Sequence, residues 1–356
     1  MMGLIRDRLA EKGGWLRLAV VCGTPAVLAL AFGLAAGWLT PGRLTAGTFM
    51  RTFRLVDGPH PGFRRNHAKG LCVTGWFEGS GAGAALSRAP LFGRVRSPVV
   101  GRFALAGGMP FQDDEPNTVR SLALRIMPAH GGEWRMGIND IPVFVVRNAA
   151  DFNAFLLASR PDPRTHRPDP SRMGGFLARH PETGRALALL KARALTSGFA
   201  NDTYNSLDSL IFVNAEGTAT AVRWAMVPEE AARPPEGPGV GRDYLFHDLI
   251  GALARGPLRW HLVVTVAGPG DPTGDATVPW PAGRRQVDAG TLTLVRAESE
   301  EGGPCTGITY DPLILPEGMG PSDDPIPAAR SAVYARSFTL RSGEAVTGTA
   351  IRSGGQ

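Results

Sequence analysis

Cysteine and tyrosine are scarce in this chain, whose 356 residues include three Cys and four Tyr. No Cys lies beside another or at the spacing of a metal finger, which excludes a zinc-finger protein. Cys22 lies in an apolar run near the N-terminus, whereas Cys72 and Cys305 lie far apart in the remainder. The sequence leaves open whether these two form a disulfide or stay as buried thiols.

Basic clusters interleaved with aromatic residues are also missing, although the net charge is +6. We therefore expect no nucleic-acid partner. The sequence shows no internal repeats. An apolar content of 43% and a charged content of 20% suit a globular protein with a membrane segment, and the length allows one or two domains. The 30 Pro and 46 Gly predict many turns and loops.

The chain does contain one long uncharged stretch, from Leu18 to Gly42. Its apolar part, 18–39, is long enough to cross a bilayer as a helix. Basic side chains outnumber acidic ones before it, which predicts a cytoplasmic segment 1–17. We expect a single-pass anchor in a bacterial inner membrane, with the rest of the chain in the periplasm. A cleaved signal peptide is the alternative, but the stretch is long for one and no A-x-A cleavage site follows.

Turn-forming residues divide the rest of the chain into short elements. Segment 40–62 is rich in Pro and Gly at both ends and is predicted to be a linker. Strand-like runs follow at 71–78, 99–106, 121–127, 141–147, 218–227, 259–266 and 291–296. Helical patterns cover 150–158, 174–197 and 331–338. Antiparallel strands at this spacing, with helices between them, predict an α+β fold built on a β-barrel.

Three short motifs carry polar side chains that suit chemistry. His67 follows Arg64 by three residues and precedes an apolar run. A histidine can take up and return a proton near neutral pH. Asn139 supplies an amide shortly before another apolar run. Tyr334 follows Arg330 by four residues, which predicts that both lie on one face of a helix.

A histidine, an asparagine and an arginine-supported tyrosine, in this order, resemble the haem site of catalases. With matching flanks from about Thr45 to about Arg341, the chain is similar to the small membrane-anchored, catalase-related haem peroxidases of the catalase superfamily. The resemblance implies an eight-stranded antiparallel β-barrel with helical insertions in a haem-binding domain at 63–341. A Gly/Ser-rich segment at 342–356 is expected to be a flexible tail. Full catalases carry a longer N-terminal arm and a C-terminal helical domain, so we do not expect the catalase tetramer and leave the oligomeric state open.

The resemblance implies a role for each motif around a haem. His67 matches the distal acid–base residue, and Asn139 matches the distal amide that orients peroxide. Tyr334 matches the axial ligand of the haem iron on the proximal side, the ligand described for catalases in general. Arg330 would support the negative charge of the phenolate one helical turn away, and Arg341 matches a further proximal arginine.

Four more residues match positions that hold the haem in the family. Arg64 and Arg102 match arginines that bind the haem propionates, and a guanidinium suits this role because it pairs with a carboxylate through two hydrogen bonds. Phe144 and Phe152 match aromatic residues that pack on the porphyrin. The resemblance implies haem b, since the chain has no C-x-x-C-H segment for covalent attachment.

The sequence departs from the family pattern at two distal positions. Ala104 stands where catalases usually have a serine that helps to orient the distal histidine. We therefore expect another group or a water molecule to orient His67. Asn66 stands where catalases commonly have an apolar residue, from which we expect a more polar distal pocket.

The resemblance implies a haem-dependent peroxidase that reduces hydrogen peroxide or organic hydroperoxides through a ferryl intermediate, with an unidentified electron donor. The sequence leaves two alternatives open. One is a non-catalytic haem-binding or membrane-tethered module on a catalase-type barrel. The other is an enzyme that rearranges hydroperoxides. The complete set of His67, Asn139, Arg330 and Tyr334 argues against a mere scaffold, because a scaffold has no use for a distal acid–base residue.

Overall fold

A computed structural model of the protein describes residues 14–35, 39, 44–162, 164–165, 167–237, 239–346 and 348–353. It divides into two compact units, Met1–Thr45 and Ala46–Gln356. Most of the expected cytoplasmic segment (1–13), part of the expected linker (40–43) and residues 347 and 354–356 of the expected tail lie outside the described residues.

The first unit contains helix α1, Gly14–Ala35. This helix covers 18–35 of the predicted span 18–39 and also the four residues before it, whereas residues 36–38 lie outside the described residues. It is long and apolar enough to cross a membrane, and it includes Pro25, which membrane helices tolerate. A signal sequence passes the same test of length and composition, so both interpretations of the segment stand.

The second unit is built on antiparallel strands. They are β1 Gly70–Gly79, β2 Arg96–Leu105, β3 Arg120–Ile126, β4 Trp134–Asn139, β5 Tyr204–Asn205, β6 Leu210–Val213, β7 Ala219–Pro228, β8 Leu258–Val266, β9 Gln286–Glu298 and β10 Met319–Pro321. Eight of them close a ring in the order β7-β5-β4-β3-β2-β1-β9-β8, because β8 also pairs with β7. Strands β6 and β10 extend the sheet beyond β7. The predicted eight-stranded antiparallel barrel is therefore confirmed.

Alternation along the strands places large apolar side chains inside the barrel. Leu122, Leu124 and Ile126 of β3 are fully buried, as are Val222 and Met226 of β7. These residues belong to one core cluster, as their shared face in the sequence predicted. The outward-facing residues of the same strands are therefore free to build a site.

Helices surround the barrel. They are α2 Ala46–Asp57, α3 Ala149–Ser159, α4 Pro170–Arg179, α5 Pro181–Ala192, α6 Tyr244–Arg255 and α7 Pro325–Ser342. The predicted helix at 150–158 agrees with α3. The single helix predicted at 174–197 is wrong, because Pro181 starts a second helix after His180. Helix α7 begins six residues before the predicted 331–338, where Asp324 caps it and accepts a hydrogen bond from the Ile326 N–H.

Two further expectations need correction. Segment 40–62 is not only a linker, because helix α2 lies within it and buries Phe49 and Phe53. The apolar run 141–147 is not a strand; the strand is β4, which ends at Asn139. Pro142 lacks the N–H that a central strand must donate, so the ladder stops before it.

The C-terminal segment is not a flexible tail over its described residues. Ala350 and Ile351 are buried in the barrel core cluster. The Ser353 N–H donates to Ser299 Oγ at 2.8 Å. Cys72 and Cys305 form a disulfide, which settles the alternative that the sequence left open.

Candidate active site

A patch of small and polar residues covers the outer face of β2, β3 and β4. Antiparallel pairing arranges it in two rows across the three strands. The first row consists of Ala104, Ser121 and Asn139, and the second row consists of Arg102, Ala123 and Gly137. The residues between them point into the core. The rows lie two residues apart along each strand, which is roughly 6.5–7 Å.

This patch forms one wall of a large cavity with about 1280 Å³ of empty space, part of it open to solvent. All nine side chains that the sequence singled out line this cavity: Arg64, His67, Arg102, Asn139, Phe144, Phe152, Arg330, Tyr334 and Arg341. The fold thus brings together residues from the whole length of the second unit. Their individual roles stay predictions.

His67 lies in a tight turn between α2 and β1. Its backbone φ of 54° is in the left-handed region, which is uncommon for a residue with a side chain. Asn66 stabilises this turn, because its Oδ1 accepts hydrogen bonds from the N–H groups of His67 at 3.0 Å and Gly107 at 3.1 Å. The Asn66 amide oxygen is thus engaged with the backbone, although the residue also lines the cavity.

The imidazole of His67 has a polar partner on the first row. Its Nδ1 lies 3.0 Å from Ser121 Oγ, and the Ser121 hydroxyl donates to Asn139 Oδ1. Ser121 lies directly opposite Ala104 in the ladder between β2 and β3. Another group was expected to orient His67, because position 104 has no hydroxyl. The Ser121 side chain is in contact with the imidazole and is that group.

The His67 imidazole is held in its neutral form. Burial, followed by repulsion from the positive charges of Arg102 and Arg330, lowers the pKa of His67 to about 3. A hydrogen bond with the backbone of Leu105 raises the pKa of His67, but the other effects outweigh it. A neutral imidazole can accept a proton at pH 7, which is what a general base requires.

Tyr334 and Arg330 meet over the second row. Arg330 Nη2 donates to the Gly137 carbonyl at 2.8 Å and to Tyr334 Oη at 3.3 Å, and Nη1 donates to Asp208 Oδ2 at 2.5 Å. Burial would lower the pKa of Arg330, but Tyr334 and Asp208 outweigh it and raise the pKa. A Cβ at Gly137 would lie 2.9 Å from Arg330 Nη2, so a larger residue there would displace the guanidinium from this position.

Three arginines lie near one another at one side of the cavity, and one carboxylate faces them. Arg102 Nε and Nη2 donate to the two carboxylate oxygens of Glu300 at 2.8 and 2.7 Å. Arg64 Nε lies 3.5 Å from Glu300 Oε1, while its Nη2 donates to the carbonyl of Cys305. Among the described residues, Arg341 Nη2 is buried without a hydrogen-bond partner.

These contacts leave the arginine cluster (Arg64, Arg102 and Arg341) with two more positive charges than Glu300 can neutralise. Burial would raise the pKa of Glu300, but Arg102, Arg64 and Arg341 lower it to about 2. Burial and the repulsion of Arg64 lower the pKa of Arg341 to about 10. The cluster therefore suits a ligand with two carboxylates.

Aromatic side chains form an apolar wall of the cavity. The rings of Phe144 and Phe152 are 5.3 Å apart, and Phe49 of α2 lies 6.3 Å from Phe152. Phe53, one turn after Phe49, lines the cavity too. Phe49 and Phe53 were not predicted to line the site, although their spacing of four residues is a helical signal.

The catalase family model matches residues 61–351, which is most of the chain. The chain belongs to the catalase family. A catalase-related peroxidase of Synechococcus elongatus is 34% identical over 333 residues, covering 92% of this chain and 96% of the relative. A catalase-related peroxidase of Mycolicibacterium paratuberculosis is 32% identical over 308 residues, covering 85% of this chain and 96% of the relative.

Solved catalases share the fold of this family member. A fungal catalase superposes with a TM-score of 0.70 at 20% identity, covering 79% of this chain and 60% of that chain. Catalase A from Saccharomyces cerevisiae superposes with a TM-score of 0.68 at 20% identity, covering 78% of this chain and 61% of that chain. The chain thus spans about three fifths of the length of these catalase structures.

The cavity of this catalase-family protein has the chemistry that a haem needs. Its aromatic wall suits a flat apolar ring, and the arginine cluster has two uncompensated charges for two propionates. The buried Nη2 of Arg341 is a donor that lacks an acceptor among the described residues. The His67 imidazole contacts Ser121 of the first row, whereas Tyr334 Oη is linked through Arg330 to Gly137 of the second row, so the cavity offers polar groups at two separate places. The residues present therefore fit a haem.

Proposed function

We propose that this protein is a haem-dependent peroxidase that reduces hydrogen peroxide or organic hydroperoxides. The supporting observation is that a neutral His67, an arginine-supported Tyr334 and the arginine cluster all line one cavity. Membership of the catalase family, with catalase-related peroxidases among the relatives, agrees with this proposal. An electron donor completes the reaction.

The proximal residues would hold the cofactor. Tyr334 would ligate the iron through its phenolate oxygen, and Arg330 would supply the positive charge that makes a phenolate favourable. Arg102, Arg64 and Arg341 would bind the propionates of a non-covalent haem b. When bound, the haem iron supplies the redox chemistry with peroxide.

The distal residues would bind and protonate peroxide. His67 would accept a proton from the peroxide oxygen nearer the iron and deliver it to the departing oxygen. The proton transfer requires a neutral imidazole, and the low pKa of His67 provides it. Asn139 would orient the peroxide with its amide, which lies in the same hydrogen-bonded chain as His67 through Ser121.

The location of the enzyme is part of the proposal. Helix α1 would anchor it in a bacterial inner membrane, and the basic bias at 1–17 would leave the catalytic unit in the periplasm. Labelling of engineered surface cysteines in the second unit with a membrane-impermeant reagent, in intact cells and in opened cells, tests this orientation.

Absorption spectroscopy of the full-length chain loaded with haemin tests the function. We expect a ferric haem spectrum that changes on adding hydrogen peroxide and recovers while a reducing donor is oxidised. The variant His67→Ala should keep the haem but lose peroxide reduction by about 10²–10⁴-fold. His247→Ala, which changes an exposed histidine on α6, is the matched control.

The outcomes separate the alternative functions. Bound haem without a response to peroxide would indicate a haem carrier. Rearranged hydroperoxide without donor consumption would indicate a hydroperoxide-rearranging enzyme, because reduction yields an alcohol and consumes electrons. Undiminished activity of His67→Ala would contradict the distal role of His67.

A further inference from the structure

The hydrogen-bonded chain from His67 through Ser121 to Asn139 contains a residue with no assigned function, Ser121. Its side chain is buried, with 6% of the residue exposed, at the centre of the first row. Ser121 Oγ contacts both His67 Nδ1 and Asn139 Oδ1. Asn139 lies opposite Ser121 on β4, just as Ala104 lies opposite it on β2.

The protons available along the His67–Ser121–Asn139 hydrogen bonds determine which nitrogen of the imidazole is protonated. A serine hydroxyl has one proton, and Ser121 donates it to Asn139 Oδ1. Ser121 Oγ can then only accept from His67, so Nδ1 carries the proton of the neutral ring. The other ring nitrogen, Nε2, then carries no proton and keeps its lone pair.

We propose that Ser121 is a positioning residue that selects the Nδ1–H tautomer of His67 and thereby makes Nε2 the catalytic base. The consequence for catalysis rests on the proposed peroxidase function, whereas the tautomer itself is a property of the protein alone. Asn66 fixes the backbone of His67, and Ser121 fixes its ring. Ala104 cannot share this task, because its methyl group has no hydrogen-bonding atom.

The tautomer can be measured without haem. Nitrogen NMR of the haem-free, full-length chain with labelled histidine distinguishes a protonated Nδ1 from a protonated Nε2, and His67→Ala assigns the signal. We expect Nδ1–H in the wild type and a shift toward Nε2–H in Ser121→Ala. Ser97→Ala is the matched control, because Ser97 is a buried serine of β2 outside the cavity lining.

A rescue variant separates positioning from general damage. In the double variant Ala104→Ser/Ser121→Ala, the hydroxyl moves to the directly opposite residue of β2. We expect Ser121→Ala to lower the rate constant of the haem-loaded protein with hydrogen peroxide by about tenfold or more, because the wrong tautomer presents N–H instead of a base. The double variant should recover most of this loss and should restore the Nδ1–H signal.

The two readouts keep this inference distinct from the proposed function. An unchanged tautomer in Ser121→Ala would overturn the positioning role, even if the protein is a peroxidase. A wild type that fails to react with peroxide would overturn the peroxidase function, and the NMR result would still decide the role of Ser121 in the haem-free protein. The double variant could regain the Nδ1–H tautomer and still react with hydrogen peroxide as slowly as Ser121→Ala. That result would show that the tautomer does not control the rate, and it would overturn the catalytic consequence of the proposal.

Discussion

Glu300 and Arg102 form a two-pronged ion pair, with both carboxylate oxygens within 2.8 Å of guanidinium nitrogens. Only 3% of the Arg102 side chain is exposed. The pair thus places a protein carboxylate within the cluster that we expect to bind propionates. Glu300 neutralises one of three guanidinium charges, and a dicarboxylate ligand would neutralise the other two.

Glu300→Gln should therefore destabilise the haem-free protein and increase the effect of haem on stability. Removing one partner of a buried pair costs about 3–5 kcal/mol of unfolding free energy. Haemin should then stabilise the variant more than the wild type, because its propionates meet a larger uncompensated charge. Urea unfolding with and without haemin measures both quantities.

Asp202→Asn provides a matched control for Glu300→Gln. Asp202 forms a buried ion pair with Arg120 at 2.9 Å, and neither residue lines the cavity. We expect this variant to lose stability while the stabilisation by haemin stays at the wild-type value. An equal haemin effect in Glu300→Gln and wild type would contradict the charge argument.

Tyr334→Phe should weaken haem binding and shift the absorption bands of any haem that is retained, because the phenyl ring has no oxygen for the iron. Titration with haemin, followed by absorption spectroscopy, measures both effects. Tyr310→Phe is the control, since Tyr310 also lines the cavity and its buried hydroxyl lacks a hydrogen-bond partner among the described residues. A wild-type spectrum and affinity in Tyr334→Phe would exclude Tyr334 as the ligand.

Asp324, the N-cap of α7, should make the protein less stable as the pH rises. Burial and the nearby charge of Asp208 raise the pKa of Asp324 to about 7, above the ordinary value of 3.8. The folded state therefore holds a proton that the unfolded state has lost, and this stabilisation disappears as the pH rises through 7. Between pH 5 and 8 the wild type should lose about 2–3 kcal/mol relative to Asp324→Asn, which keeps a capping side chain.

Urea unfolding of both proteins at several pH values measures this difference. Asp169→Asn is the control, because Asp169 caps α4 with an exposed side chain whose pKa is lowered by hydrogen bonds to Ser171. Parallel stability curves for wild type and Asp324→Asn would show that Asp324 is ionised throughout this range.

The Cys72–Cys305 disulfide ties the loop after β9 to β1, next to the arginine cluster. Within that loop, the Cys305 carbonyl accepts a hydrogen bond from Arg64 at 3.0 Å. Cys72→Ser/Cys305→Ser should lower the unfolding free energy by about 2–4 kcal/mol and also weaken haem binding. Cys22→Ser, which leaves the bond intact, should change neither property. Undiminished haem affinity of the double variant would show that Arg64 is held without the bond.

Local patterns in the sequence predicted a β-barrel, and the resemblance to catalases supplied its eight strands and the site residues. The alternation of apolar and polar residues identified the buried faces of β3 and β7. The residues flanking His67, Asn139 and Tyr334 made these three motifs recognisable. The family and the eight-stranded fold are confirmed. The membrane orientation and the site roles stay predictions.

Other features depend on long-range packing that no local pattern contains. Glu300 sits in an acidic, Gly-rich loop, and its sequence gives no sign that it meets Arg102 198 residues away. The contact of Ser121 with His67 depends on the β2–β3 register. Helix α2 was missed because the Pro and Gly residues at both ends of 40–62 concealed a short amphipathic segment.

The row of Ala104, Ser121 and Asn139 bears on how such proteins are compared. Directly opposed residues of neighbouring strands point to the same side of a sheet, so a hydroxyl can move from one strand to the next and still serve the same imidazole. A sequence alignment treats positions 104 and 121 as separate columns. It would record the loss of a hydroxyl in one column and an unrelated gain of a hydroxyl in the other. In a relative of this chain that lacks a serine at the β2 position, the directly opposed β3 position should therefore be inspected before the distal site is judged incomplete.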